Sequence, residues 1–151
     1  MNLNSYDLDT KSNFLSFEFY SEGPKGKIKK VIQFRKLIVP GAENDIYNLA
    51  FGDLNEEEGT IDDLVVSDNK DSEKVLATVA TAVMSFMKEN PDVWVFAQGS
   101  THSRTRYYTM GITKHLTEIY GSFEIWGALS DSEWELFRKN RPYKALLVRC
   151  K

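Results

Sequence analysis

A single cysteine, Cys150, stands among 151 residues. That excludes an internal disulfide framework and a thiolate metal cluster built by one chain. Histidine is nearly as scarce. His102 and His115 are the only two, and their separation matches no metal-ligand spacing, so neither a metal nor a cofactor is expected. No apolar run approaches the roughly 20 residues that a membrane-spanning helix needs. The opening stretch from Met1 to Tyr6 holds neither a basic nor an apolar segment, so the reading is a cytoplasmic protein without a secretory signal or membrane contact. Strong charge of one sign is also missing. A formal net charge of -3 is too mild to imply a nucleic-acid partner by bulk charge. The phosphate-loop signature, spaced glycines followed by Lys-Ser or Lys-Thr, is absent. Linkers, low-complexity tracts and repeats are absent too, so residues 1–151 read as a single domain.

What is present suits a folded core. Hydrophobic residues make up 42% of the chain and aromatics 13%, enough to fold rather than stay disordered. Charge is segregated along the sequence. Lysines and Arg35 cluster between Lys25 and Lys36, carboxylates between Asp53 and Glu73, and basic residues again between Arg138 and Lys151.

The first half alternates in the two-residue rhythm of strands. Leu15, Phe17 and Phe19 mark a first strand, and Ser21 to Gly26 a turn. A second strand runs from about Lys27 to Val39, with Ile32 and Phe34 on one face and lysines that suit a sheet edge. A third carries Tyr47, Leu49 and Phe51. Asn55 to Gly59 makes an acidic hairpin loop, and Thr60 to Val66 a fourth strand. That loop lacks the glycine a calcium-binding loop requires at its sixth position.

The rhythm then becomes helical. Asp71, Ser72 and Glu73 hold N-cap and first-turn positions. Val75, Leu76, Val79, Ala82, Val83, Phe86 and Met87 form one broad apolar face, and Asn90-Pro91 ends the helix. A buried strand follows at Val93 to Ala97, then a second helix to about Tyr120 with Tyr108, Ile112, Leu116 and Ile119 as its core stripe. Strands at Phe123 to Leu129 and Tyr143 to Cys150 flank a short helix over Ser132 to Arg138. The fold expected is α+β: a single mixed, mostly antiparallel sheet with two main helices, ordered roughly β-β-β-β-α-β-α-β-β. The step between residues 60 and 97 is expected to form a parallel pair with a right-handed crossover.

The chemistry concentrates between the buried strand and the second helix. Gln98-Gly99-Ser100 reads as a tight turn. Thr101, His102, Ser103, Arg104 and Arg106 fill the first turns of the helix. Free backbone N–H groups at a helix start attract anions. Arginine there opposes the helix dipole at a cost of roughly 0.3–1 kcal/mol each, so something negative is expected close by. Either a ligand anion lies in a cradle of N–H groups, hydroxyls and an arginine fork, or Asp62, Asp63 or Asp68 pairs with an arginine as an internal structural partner. With Ile112 at the centre of the buried face, Arg104 lies about 80° to the side and Arg106 points about 120° outward. If the chain is an enzyme, His102 and Ser100 are the residues able to move a proton or attack a substrate.

Residues about 60 to 128 resemble the GCN5-related acetyltransferase superfamily, which runs strand, helix, strand, helix, strand through its cofactor half. Its late-helix pattern falls here on Ser100, Ser103, Arg106, Tyr107, Gly111 and Ile112. The Tyr-x-x-x-Gly spacing is kept and the phenylalanine is replaced by Ile112. The resemblance gives Tyr107 the role of general acid and suggests a reduced acetyltransferase-like fold. It departs at the pyrophosphate turn, where Ser67-Asp68-Asn69-Lys70-Asp71-Ser72 is acidic and lacks glycine, so acetyl-CoA is not expected to bind. The whole chain also resembles a family of short bacterial proteins without an assigned function. There Asp53, Asp62, Asp63, Ser67, Asp68, Asn69, Gln98 and Arg104 would be family positions.

These readings converge on a non-catalytic binding module that recognises a small anionic ligand or a partner protein through the Gln98–Tyr107 turn. The alternative is an acyl- or phosphoryl-type transferase or hydrolase.

Overall fold

The computed structural model describes residues 5–11, 14–55, 57, 58, 60–62, 70–98, 105, 106, 109, 111, 113, 114 and 123–150. Its strands are β1 (Asp9–Lys11), β2 (Ser16–Gly23), β3 (Gly26–Leu37), β4 (Ile46–Asn55), β5 (Thr60–Asp62), β6 (Trp94–Ala97), β7 (Phe123–Ala128), β8 (Trp134–Leu136) and β9 (Ala145–Cys150). Helix α1 (Ser72–Glu89) joins β5 to β6. The nine strands of the described residues form one sheet in the order β1-β2-β3-β4-β6-β9-β7-β8, with β5 also paired to β4.

The mixed sheet agrees with the sequence pattern. Every pairing is antiparallel except that of β4 with β6, where Ile46–Leu49 lies beside Trp94–Ala97. A parallel pair needs a long crossover, and the chain between β4 and β6 supplies one that includes α1. The parallel partner of β6 is therefore β4. The strand after the acidic loop, β5, runs antiparallel to β4 instead.

Cross-strand partners share a face, and the register shows how the core is laid down. Phe17, Ile32 and Phe51 form one row. Phe34, Leu49, Ala97 and Leu146 form the next, and Tyr47, Val95, Val148 and Ile125 the third. Helix α1 covers this face. Its predicted apolar residues, from Val75 to Met87, are all buried, and the Phe86 ring stacks on Phe34 with centroids 4.2 Å apart. The helix ends as its sequence requires, with the Asn90 N–H and side-chain amide both donating to the Phe86 carbonyl, just before Pro91.

Several expectations need correction. Ser132 to Arg138 is not a helix: Trp134–Leu136 is a strand paired with β7. Trp134 and Leu136 lie two positions apart and share one side of it, a spacing that suits a strand as well as it suits a helical turn. β3 is not an edge, because it lies between β2 and β4. Its lysines meet carboxylates instead: Lys27 with Glu22 at 3.5 Å, Lys29 with Glu18 at 3.2 Å, Lys36 with Asp45 at 3.4 Å, and Lys30 with Asp53. An additional edge strand, β1, is only three residues long and fully exposed, so it carries no alternation to read.

The predicted second helix falls largely outside the described residues, including Tyr108, Ile112, Leu116 and Ile119. The described positions between 105 and 114 have helical backbone. Thr105, Thr109 and Thr113, four residues apart, are buried. Thr109 Oγ1 donates to the Thr105 carbonyl at 2.7 Å, and Thr113 Oγ1 to that of Thr109. Buried hydroxyls need partners, and bonding to their own helix satisfies them. Gly111 lies against α1. A Cβ at that position would sit 2.0 Å from Leu76 Cδ1, so the glycine lets the two segments approach.

Candidate functional site

One long side of β4 is filled by β3 from Ile46 to Asp53. The other side is shared. β6 occupies it along Ile46–Leu49 and β5 along Asp53–Asn55. β6 runs toward the shared middle and ends at Ala97, opposite Leu49. β5 runs toward it from the other direction and ends at Asp62, opposite Asp53. The two strand ends thus flank Ala50–Gly52 on one edge, separated by four residue steps of β4, or about 13 Å. Ligands of sheets with parallel strands collect beyond the carboxyl ends of those strands, where chain direction diverges. The end of β6 is such a place.

Gln98 leaves β6 here and is exposed. Arg106 is exposed on helical backbone, as its predicted angle requires. Asp62 holds the register position next to Asp53. Gly99, Ser100, Thr101, His102, Ser103, Arg104 and Tyr107 lie outside the described residues, as do Asp63, Ser67, Asp68 and Asn69. The structure therefore brings the described ends of both predicted segments, at Asp62 and Gln98, to one edge.

Polar groups also lie on the α1 side of the sheet. Lys30 and Asp53 are cross-strand partners and form an ion pair with side chains only 8% and 16% exposed. Lys30 Nζ also lies 6.0 Å from the centre of the Phe51 ring. At the start of α1, Asp71 holds the predicted N-cap position but does not cap the helix with its side chain. Its carboxylate instead accepts from the Tyr6 hydroxyl at 2.6 Å and from the fully buried Ser21 hydroxyl. Tyr6 in turn accepts from the Glu22 N–H at 2.9 Å, and its own N–H donates to Thr78 Oγ1 at 2.8 Å. Burial and the hydrogen bond to Asp71 hold the Tyr6 hydroxyl above its ordinary pKa. Asp71 is thus spent on tying the N-terminal segment over the helix.

A second polar cluster locks the far end of the sheet. The Tyr143 hydroxyl donates to Glu135 at 2.6 Å and accepts from the Arg138 N–H at 2.9 Å. Arg141 grips the same carboxylate through two nitrogens, each at 3.0 Å. The Tyr143 hydrogen bond, with help from Arg141, lowers the Glu135 pKa, while burial followed by the Glu135 contact raises that of Tyr143. The buried Tyr143 ring covers Gly127, where a Cβ would stand 2.4 Å from its Cδ1. The ring is held by its own hydrogen bonds, so Gly127→Ala is expected to cost about 1–3 kcal/mol as an overpacked site. Urea denaturation measures this, and an unchanged midpoint would show that the ring moves aside freely.

The opposite side of the sheet carries a surface that the periodicity marks only weakly. Register places Trp94, Phe96, Leu147, Trp126, Trp134 and Leu136 on the face turned away from α1. All three tryptophans of the chain share it. The Arg149 guanidinium lies 4.9 Å over Trp94 and donates to Glu124 at 3.1 Å, while Trp126 Nε1 donates to the other Glu124 oxygen at 2.7 Å. The Phe96 and Trp134 rings approach to 6.4 Å. The available signal was that β6 and β9 are apolar at both parities, the pattern of strands covered on two faces.

Among the described residues, no group of three or more His, Cys, Asp or Glu is placed to hold a metal ion. No helix there is long and apolar enough to cross a membrane. No curated protein and no solved structure matches the chain. Residues 2–151 match a family of unknown function, DUF6934. That match spans nearly the whole sequence, so the chain belongs to the DUF6934 family.

Proposed function

We propose that this protein is a non-catalytic binding module that takes an anionic group at the divided edge of β4. The carrying observation is that β5 and β6 share that edge and end toward each other across Ala50–Gly52. The Gln98–Tyr107 and Asp62–Asn69 segments therefore start from a common place. Backbone N–H groups of the helix start expected after Gln98, the hydroxyls of Ser100, Thr101 and Ser103, and an arginine from Arg104 or Arg106 are donors suited to an anion. Lys30 already holds Asp53, so that carboxylate is neutralised within the fold and does not oppose an incoming negative charge.

Substitutions separate binding from catalysis. Ser100→Ala and Arg106→Ala are expected to weaken a bound anion such as inorganic phosphate, by a margin that shrinks as salt is added, because exposed charges are screened over about 8–10 Å at ordinary ionic strength. Tyr107→Phe is expected to change little, since it removes a hydroxyl and keeps the ring. For an acyl-transfer enzyme the order reverses. Loss of a general acid at Tyr107 would then lower turnover by about 10²–10⁴-fold with affinity unchanged. Isothermal titration of the three variants, with an acyl-transfer assay alongside, distinguishes the patterns.

A further inference from the structure

The sheet has two different outer edges. β1 carries Asp9, Thr10 and Lys11, with Asp9 and Lys11 paired at 3.0 Å, which is the charged guard that keeps an edge from pairing with other chains. β8, at the opposite end, shows Trp134 38% and Leu136 57% exposed. Among the described residues its backbone rim is open as well. The Leu129 N–H donates to the Glu133 carbonyl, and the Phe137 N–H to that of Ile125, both at 2.8 Å. Bonded pairs alternate along an antiparallel ladder. Glu135 is therefore turned inward to Gly127, and the N–H and C=O groups of Trp134 and Leu136 point outward from the rim. Charge around the strand is polar in sequence. Asp131 and Glu133 precede it, Arg138 and Lys139 follow it, and all four are exposed.

We propose that β8 pairs antiparallel with β8 of a second copy of this chain, about a two-fold axis at Glu135. The outward groups of Trp134 then bond those of Leu136 in the second copy, and the reverse, so every rim donor and acceptor is met. The same register sets Asp131 against Lys139 and Ser132 against Arg138 of the second copy. The acidic end of each strand meets the basic end of the other. A parallel arrangement would instead oppose like charges, which destabilises strand pairs. Glu135 meets its own counterpart at the axis, but each is already gripped by Arg141 and Tyr143 of its own chain. Trp134 and Leu136 lie opposite each other on the face that bears Trp94 and Trp126, so pairing joins the two aromatic faces. A closed two-fold contact of this kind stops at two copies.

Light scattering coupled to size-exclusion chromatography, over a range of concentrations at low salt, tests the proposal. The expected mass is about twice the 17.3 kDa of one chain. Asp131→Lys and Lys139→Glu singly are each expected to raise the dimer dissociation constant roughly tenfold, since symmetry counts each contact twice. The two changes together restore it, because each copy then opposes the other with exchanged signs. Leu136→Lys is expected to give monomer, with circular dichroism reporting an intact fold. A wild-type chain that stays monomeric at every concentration overturns the proposal. So does a dimer that Leu136→Lys or the single reversals leave unchanged, or one that the double reversal fails to restore.

Discussion

Phe86→Ala is expected to lower the unfolding free energy by about 3–5 kcal/mol, the usual cost of deleting a buried ring. Phe86 is 0% exposed. It is the knob that fastens α1 to the sheet, stacked flat on Phe34 at 4.2 Å and set edge-on to Tyr47 at 5.0 Å. The cavity would open between β3, β4 and the last turns of the helix, where the rigid sheet limits collapse. At roughly 2–4 °C per kcal/mol for a domain of this size, the midpoint of thermal unfolding falls by on the order of 10 °C. A loss below about 1 kcal/mol in urea denaturation would show that α1 is not held at this point.

The second large effect is expected at the ion pair of β3 and β4. Lys30→Ala leaves the mostly buried Asp53 carboxylate without its cation, and breaking a buried pair costs about 3–5 kcal/mol. Replacing both partners, Lys30→Met with Asp53→Leu, is expected to recover most of the loss, because an apolar pair removes the desolvation cost along with the attraction. A double-mutant cycle measures this directly. Single changes that add without coupling would mean that the two charges do not depend on each other.

Much of the fold was legible in the sequence because one face of the sheet and one face of α1 follow clean periods. Phe17 and Phe19, Ile32 and Phe34, and the Val75-to-Met87 stripe each fell on the buried side, whereas Leu15 precedes β2 and is 39% exposed. Asn90-Pro91 marked the helix end correctly. The failures have physical causes. β1 is short and charged, and Trp134-Glu135-Leu136-Phe137 fits a strand as readily as a helical turn. The lysines of β3 looked like edge guards because a single strand does not reveal the carboxylates opposite it. Asp71 held the N-cap position, yet the use of its side chain by Tyr6 and Ser21 depends on residues distant in sequence. The proposed site stands in the sequence as two suggestive segments. Their common origin was not legible, because it depends on β5 and β6 dividing one edge of β4, a property of pairing rather than of pattern.

The central claim, that the divided edge takes an anion, is tested most directly by thermal unfolding of the wild type and Arg106→Ala in inorganic phosphate, nucleotides and CoA at two salt concentrations. The account predicts that at least one of these anions stabilises the wild type, by about 2.7 kcal/mol at 100 times its dissociation constant. The shift is expected to shrink with added salt and in Arg106→Ala, while acetyl-CoA shows no micromolar binding, because the sequence from Ser67 to Ser72 is acidic and lacks glycine. The contradicting result is a wild-type midpoint that none of the anions moves, or a shift that neither salt nor Arg106→Ala reduces.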